Sequence, residues 1–71
     1  MQIHIKALRM ERGLTVEQLA ERALISAAAI DKYEAGKTIP RLDFAALLAR
    51  GLGCRIDELI TLEDADIEGR E

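Results

Sequence analysis

Apolar residues in this chain recur at helical spacing, not in strict alternation. Val16, Leu19, Ala20 and Ala23 fall at i, i+3, i+4 and i+7, which draws one apolar stripe along a helix. Ala45, Leu48, Ala49 and Leu52 repeat the spacing further on. Thr15-x-x-Gln18 opens the first stripe as a capping box, and Leu14 with Leu19 occupies the two positions of a hydrophobic staple. These signals predict a helix over residues 15–23. Before it, residues 3–12 (IHIKALRMER) predict another, with Ile5 and Leu8 facing inward beside Leu14 and Gly13 as the stop. Ala23-Leu24-Ile25 reads as a three-residue turn. Ser26 then caps a third helix, Ile25 and Ile30 form a second staple, Ile30 and Tyr33 point inward, and Gly36 ends it. Residues 37–41 form a loop in which Pro40 pushes Ile39 out of helical geometry. A fourth helix is predicted over 42–52 with Gly53 as its cap. A short fifth spans 56–60, with Asp57 and Glu58 in the first turn where the helix dipole favours acids.

The pattern predicts an all-α fold of five short helices. Three residues between the second and third force a sharp angle, the helix-turn-helix arrangement. At 71 residues the chain makes one small domain with a marginal core, which dimerisation would support. The core must be aliphatic, because 49% of residues are hydrophobic and only Tyr33 and Phe44 are aromatic. Two aromatics are too few for a base-stacking surface, which argues against single-stranded nucleic acid as the partner. A single cysteine, Cys54, excludes an internal disulfide framework and fits a reducing cytoplasm. No apolar run approaches the ~20 residues of a membrane span, and no basic segment followed by an apolar run suggests a signal peptide. The expectation is a cytoplasmic protein without a membrane partner.

The net charge of −3 at first argues against a nucleic-acid partner. Its location changes the picture. Residues 63–71 (EDADIEGRE) hold five acids and one arginine, whereas residues 1–62 hold nine basic and eight acidic residues. The chain divides accordingly into a helical domain, 1–62, and an acidic tail, 63–71, expected to be a solvated end. A DNA mimic folding over the basic loop is the sharper alternative for it. The body is neutral to slightly basic, which permits DNA binding.

At this point the chain resembles the Cro/CI-type (XRE-like) helix-turn-helix regulators. The resemblance runs from about Ile5 to Ile60 and is carried by LRMERGLTVEQLAERALIS and AIDKYEAGKTIPRLDFAALLARGLGCRIDELI. It implies that the third helix enters the major groove of double-stranded DNA, with Ala27, Ala28, Ala29 and Lys32 facing bases and Asp31 nearby. It implies phosphate contacts from Thr15, Val16 and Gln18 on the second helix and from Lys37, Thr38 and Arg41 after the third. It further implies a structural ion pair between Arg9 and Glu34. The chain departs from the family at Val16, where Gln usually holds a phosphate, at Leu24, where Gly is frequent, and at Ala35, where Asn is frequent. It also departs in the alanine run that opens the third helix.

Alanine has no hydrogen-bond donor or acceptor, so it reads a base only through the thymine methyl. Lys32 alone has reach, as a point charge and not a fork. The expected function is a small, repressor-like transcriptional regulator with thin sequence readout, binding operator DNA as a homodimer. Half-sites would lie about 34–36 Å apart, and Leu59, Ile60 and Leu62 are the candidate dimer face. The rival reading keeps the fold as a protein-interaction module or an antitoxin-like partner, with the alanine face docking a protein. Cys54 reads as a small buried hydrophobe, Arg55 being the one cation beside it in sequence. His4 stands apart from any metal-binding cluster. No nucleophile–base set, phosphate loop or metal spacing supports an enzyme, and no cofactor is implied.

Overall fold

Four helices of this protein end by one backbone device. The computed structural model describes residues 2–61. Over these residues the helices are α1 (Ile5–Glu11), α2 (Val16–Ala23), α3 (Ala27–Glu34), α4 (Leu42–Leu52) and α5 (Ile56–Leu59). After each of the first four comes a residue of left-handed backbone: Gly13 (φ 65°), Leu24 (φ 60°), Gly36 (φ 75°) and Gly53 (φ 72°). The following N–H reaches back five residues each time, from Leu14 to Arg9, Ile25 to Ala20, Lys37 to Lys32 and Cys54 to Ala49, at 2.9–3.2 Å. This is the bond of the Schellman motif, which satisfies carbonyls that the helix leaves open. Leu24 is the exception in chemistry. A side chain at positive φ costs roughly 1–2 kcal/mol, and Leu24 is 73% exposed, so burial offsets little of that cost. Nothing in the structure explains why leucine stands there.

The helix starts follow their caps. Thr15 Oγ1 accepts from Gln18 N at 3.0 Å, and Gln18 Oε1 accepts from Thr15 N at 2.9 Å. Ser26 Oγ accepts from Ala29 N at 3.1 Å.

Both ends of the predicted helical region need correction. The first helix does not begin at residue 3. Gln2–Ile3 forms a short strand, β1, paired antiparallel with β2 (Ile60–Thr61), so the fifth helix stops at Leu59. Ile3 lies opposite Ile60 and Gln2 opposite Thr61. His4 N donates to Leu59 O at 2.8 Å, and His4 Nε2 lies 2.7 Å from Thr61 Oγ1. β-Branched Ile3, Ile60 and Thr61 favour extended backbone. The ladder also satisfies amides that no side chain at this end would cap, since His4 precedes α1 without a side-chain capping bond.

The most deeply buried side chains are Ile5, Leu19, Ile30, Leu48 and Leu59, one from each helix. Ala23, Ile25, Ala45, Ala49 and Leu52 complete a wholly aliphatic centre. Leu59 is therefore core and is unavailable to the dimer face expected of it. Of that expected face, Ile60 is half-buried in the ladder. Leu62 and the tail 63–71 lie outside the described residues. Among the described residues no helix is long and apolar enough to cross a membrane.

Two residues that sequence analysis passed over set how α4 packs. A Cβ on Gly51 would stand 3.0 Å from the backbone nitrogen of Ala23 and 3.1 Å from its Cα and Cβ. Glycine inside α4 costs about 1 kcal/mol in helix propensity, and here it lets the end of α2 approach the α4 backbone. Arg12, just past α1, donates from Nε to the Leu52 carbonyl and from Nη1 to the Leu8 carbonyl at 3.2 Å. Its cation thus closes the C-terminal end of α4, where the helix dipole favours positive charge.

Two measurements follow. Gly51→Val should lower stability by about 1–3 kcal/mol, because overpacking here meets backbone that cannot swing away; thermal melts give the answer, and an unchanged midpoint would contradict the close contact. Leu24→Gly should raise the midpoint. A gain of ~1 kcal/mol corresponds to about 4–8 °C in a domain of this size, reduced by the entropy glycine adds to the unfolded chain.

Candidate nucleic-acid interface

The inward faces of α2 and α3 decide what is left to face a partner. Leu19 and Ala23 of α2, Ile25 of the turn and Ile30 of α3 are buried. On α3, Ala29 and Tyr33 also pack partly against the core. The alanine run therefore divides. Ala28 is open to solvent, Ala27 is half-covered, and Ala29 is half-buried against the core. Asp31 and Lys32 are exposed, so with Ala28 they form the open face of α3.

The residues expected at phosphates divide similarly. Thr15 and Gln18 are exposed at the start of α2, whereas Val16 is half-buried and packs against the core. Lys37, Thr38 and Arg41 are all exposed in the segment after α3. Arg41 lies 3.7 Å from Asp43, and its guanidinium sits 5.1 Å from the Phe44 ring centroid. Both members of that ion pair are largely in solvent, so it is worth at most ~1 kcal/mol and leaves the arginine free to exchange partners.

Arg9 and Glu34 meet as a fork. Arg9 Nε donates to Glu34 Oε2 at 2.8 Å, Nη2 donates to Oε1 at 3.0 Å, and Nη1 donates to the Leu14 carbonyl at 2.9 Å. The side chains are 14% and 10% exposed. The hydrogen-bonded carboxylate raises the arginine pKa above its ordinary value, against burial that lowers it. One guanidinium thus joins α1, the segment leading into α2, and the last residue of α3.

The remaining reactive groups are quiet. Burial pushes the half-buried Cys54 thiol up; Arg12 opposes this, while Glu58 and Asp57 add to it. The cation acting on Cys54 is therefore Arg12, which the sequence did not suggest. Arg55 instead turns to Asp57 at 3.2 Å and Glu58 at 3.6 Å. Gly51 carried a signal in retrospect, since a lone glycine inside a helical pattern has a packing reason. Arg12 carried none, because its acceptor is a backbone carbonyl 40 residues away.

The Arg9–Glu34 pair predicts an uneven mutant cycle. Glu34→Leu alone leaves a half-desolvated guanidinium and should cost about 2–3 kcal/mol, whereas Arg9→Met with Glu34→Leu should cost less than either single change. Chemical denaturation of the three variants measures it, and additive losses would show the pair to be uncoupled.

The helix-turn-helix family model matches residues 5–59 of this chain. The HTH-type transcriptional activator BcrR of Enterococcus faecalis is 37% identical over 60 residues, covering 84% of this chain. The chain spans only 29% of that protein's length. An uncharacterized HTH-type transcriptional regulator of Archaeoglobus fulgidus is 31% identical over 70 residues, covering 99% of this chain and 100% of its own length. A regulator described in the same words from Methanothermobacter thermautotrophicus is 39% identical over 66 residues, covering 93% of this chain and 96% of its own. With a turn of the right length, two capped helices and a match over most of its residues, the chain belongs to the helix-turn-helix family of DNA-binding transcriptional regulators, which are not enzymes.

Proposed function

We propose that this protein binds double-stranded operator DNA as a homodimer, with α3 in the major groove, and acts as a repressor does, by occupying the site. The observation that carries this reading is the open face of α3, Ala28, Asp31 and Lys32, next in the chain to the exposed Lys37, Thr38 and Arg41. Thr15 and Gln18 add phosphate contacts at the start of α2. Val16 and Ala29 contribute shape through packing, and Ala27 and Ala28 offer methyl contacts to thymine.

Readout by such a face is thin. Asp31 has one favourable base partner, the cytosine amino group, and repels phosphates elsewhere. Lys32 favours guanine edges or a phosphate. Most affinity then comes from charge, and two-fold symmetry doubles a small sequence preference. DNA shape adds specificity at positions the protein does not touch.

One observation favours a second reading. Ile39 and Leu42 flank Arg41 and are 62% and 76% exposed. Large apolar side chains in a phosphate-facing loop suit a protein contact, in which the fold serves as an interaction module and Ala28 also faces a protein.

A random duplex pool, bound across a salt titration and then sequenced, separates the two. We expect affinity to fall steeply with salt, by orders of magnitude between about 50 and 200 mM if six or more phosphates are met. Lys37→Ala and Arg41→Ala should each reduce the salt slope by about 1. The retained DNA should show a two-fold symmetric motif. Absence of binding at low salt, together with silent Lys37 and Arg41 variants, would sink the DNA reading in favour of the protein one.

A further inference from the structure

Gln18 has an amide whose two ends are already told apart. Its Oε1 accepts the Thr15 N–H at 2.9 Å within the capping box. That partner is a donor, so the oxygen and not the nitrogen must face it. The orientation of the amide is therefore settled by chemistry. The Nε2 end has no partner among the described residues, and the side chain is exposed.

The neighbouring residues say what such a donor suits. Val16, where the resemblance leads one to expect a phosphate-holding Gln, packs against the core and has nothing to donate. Gln18 shares its helix face with Arg22, one turn on, and both are exposed. The acids of α2, Glu17 and Glu21, form their own i, i+4 stripe on the adjacent face. The Gln18 side of α2 is thus its electropositive side.

We propose that Gln18 is a donor-only phosphate contact that replaces the one lost at Val16, its amide held in place by the capping box that starts α2. The inference rests on the DNA-binding reading above. It has a consequence for specificity. Glutamine reads adenine by accepting from N6 and donating to N7 at once. With Oε1 held by Thr15, Gln18 makes no such pair, so it positions the domain on the backbone without selecting a base. It acts as a preset donor that loses little rotamer freedom on binding.

The capping box allows a test that separates the two jobs of this side chain. Gln18→Glu keeps an acceptor for Thr15 N–H and places an acid where the helix dipole favours it, but removes the donor. Gln18→Ala removes both functions without adding charge. Binding of each variant to a fixed duplex taken from the retained pool is measured at about 50 and 200 mM salt, beside thermal melts of the protein alone. We expect Gln18→Glu to melt at or above the wild-type temperature and to bind at least about tenfold more weakly at both salts. We expect Gln18→Ala to melt lower and, measured where it is fully folded, to bind about tenfold more weakly. Wild-type affinity in folded Gln18→Ala would overturn the inference and leave Gln18 a capping residue alone, with DNA binding intact. A wild-type protein that binds no duplex would overturn both this inference and the reading beneath it.

Discussion

Arg9 holds together the parts of this protein that must not move with respect to each other. Its guanidinium donates to Glu34 at one end of α3 and to the Leu14 carbonyl at the entrance to α2. A helix of eight residues has little stability alone, and its direction is set by what grips its ends. At its start α3 has Ser26 and the buried Ile25; at its end it has the arginine fork. The pair's net contribution to stability is small by general argument, because desolvating two charges offsets most of their attraction. Its value is geometric. A planar fork meeting a carboxylate allows one arrangement where an apolar contact allows several.

The second constraint is closeness. Each helix gives one fully buried aliphatic side chain to the centre, and the chain is too short to add many more. Gly51 against Ala23 lets α4 approach α2 at backbone distance, so a small number of side chains fills the space. Arg12 closes the end of α4 from the other side. Together these contacts turn the apolar stripe of α2 inward and leave its Thr15, Gln18 and Arg22 side open. The electropositive side of α2 is in this sense a by-product of core packing.

The face left open on α3 has few functional groups, and the residues around it compensate in kind. Ala28 cannot hydrogen bond, and Ala29 is half-buried. Cations after α3 and the fixed amide at the start of α2 supply binding without discrimination. Such a division gives a domain whose affinity depends on salt and whose choice of sequence depends on symmetry and DNA shape.

Much of this was legible in order along the chain. Thr15 and Gln18, Ser26, and the glycines at 13, 36 and 53 are local signals, since a cap or a left-handed stop involves residues within one or two turns. The helix-turn-helix itself follows from two caps and a three-residue turn. The ladder of Gln2–Ile3 with Ile60–Thr61 was not legible, because a pairing between the two ends of the described chain leaves no periodic trace in two residues. The same holds for Arg12 on Leu52 and for Gly51 on Ala23, whose partners are distant backbone. Sequence alone determined where helices start and stop and which stripes are apolar, for those depend on neighbouring side chains. Tertiary structure decided which of the alanines faces outward, that Leu59 belongs to the core, and which end of the Gln18 amide is free, because each depends on what another segment has already covered.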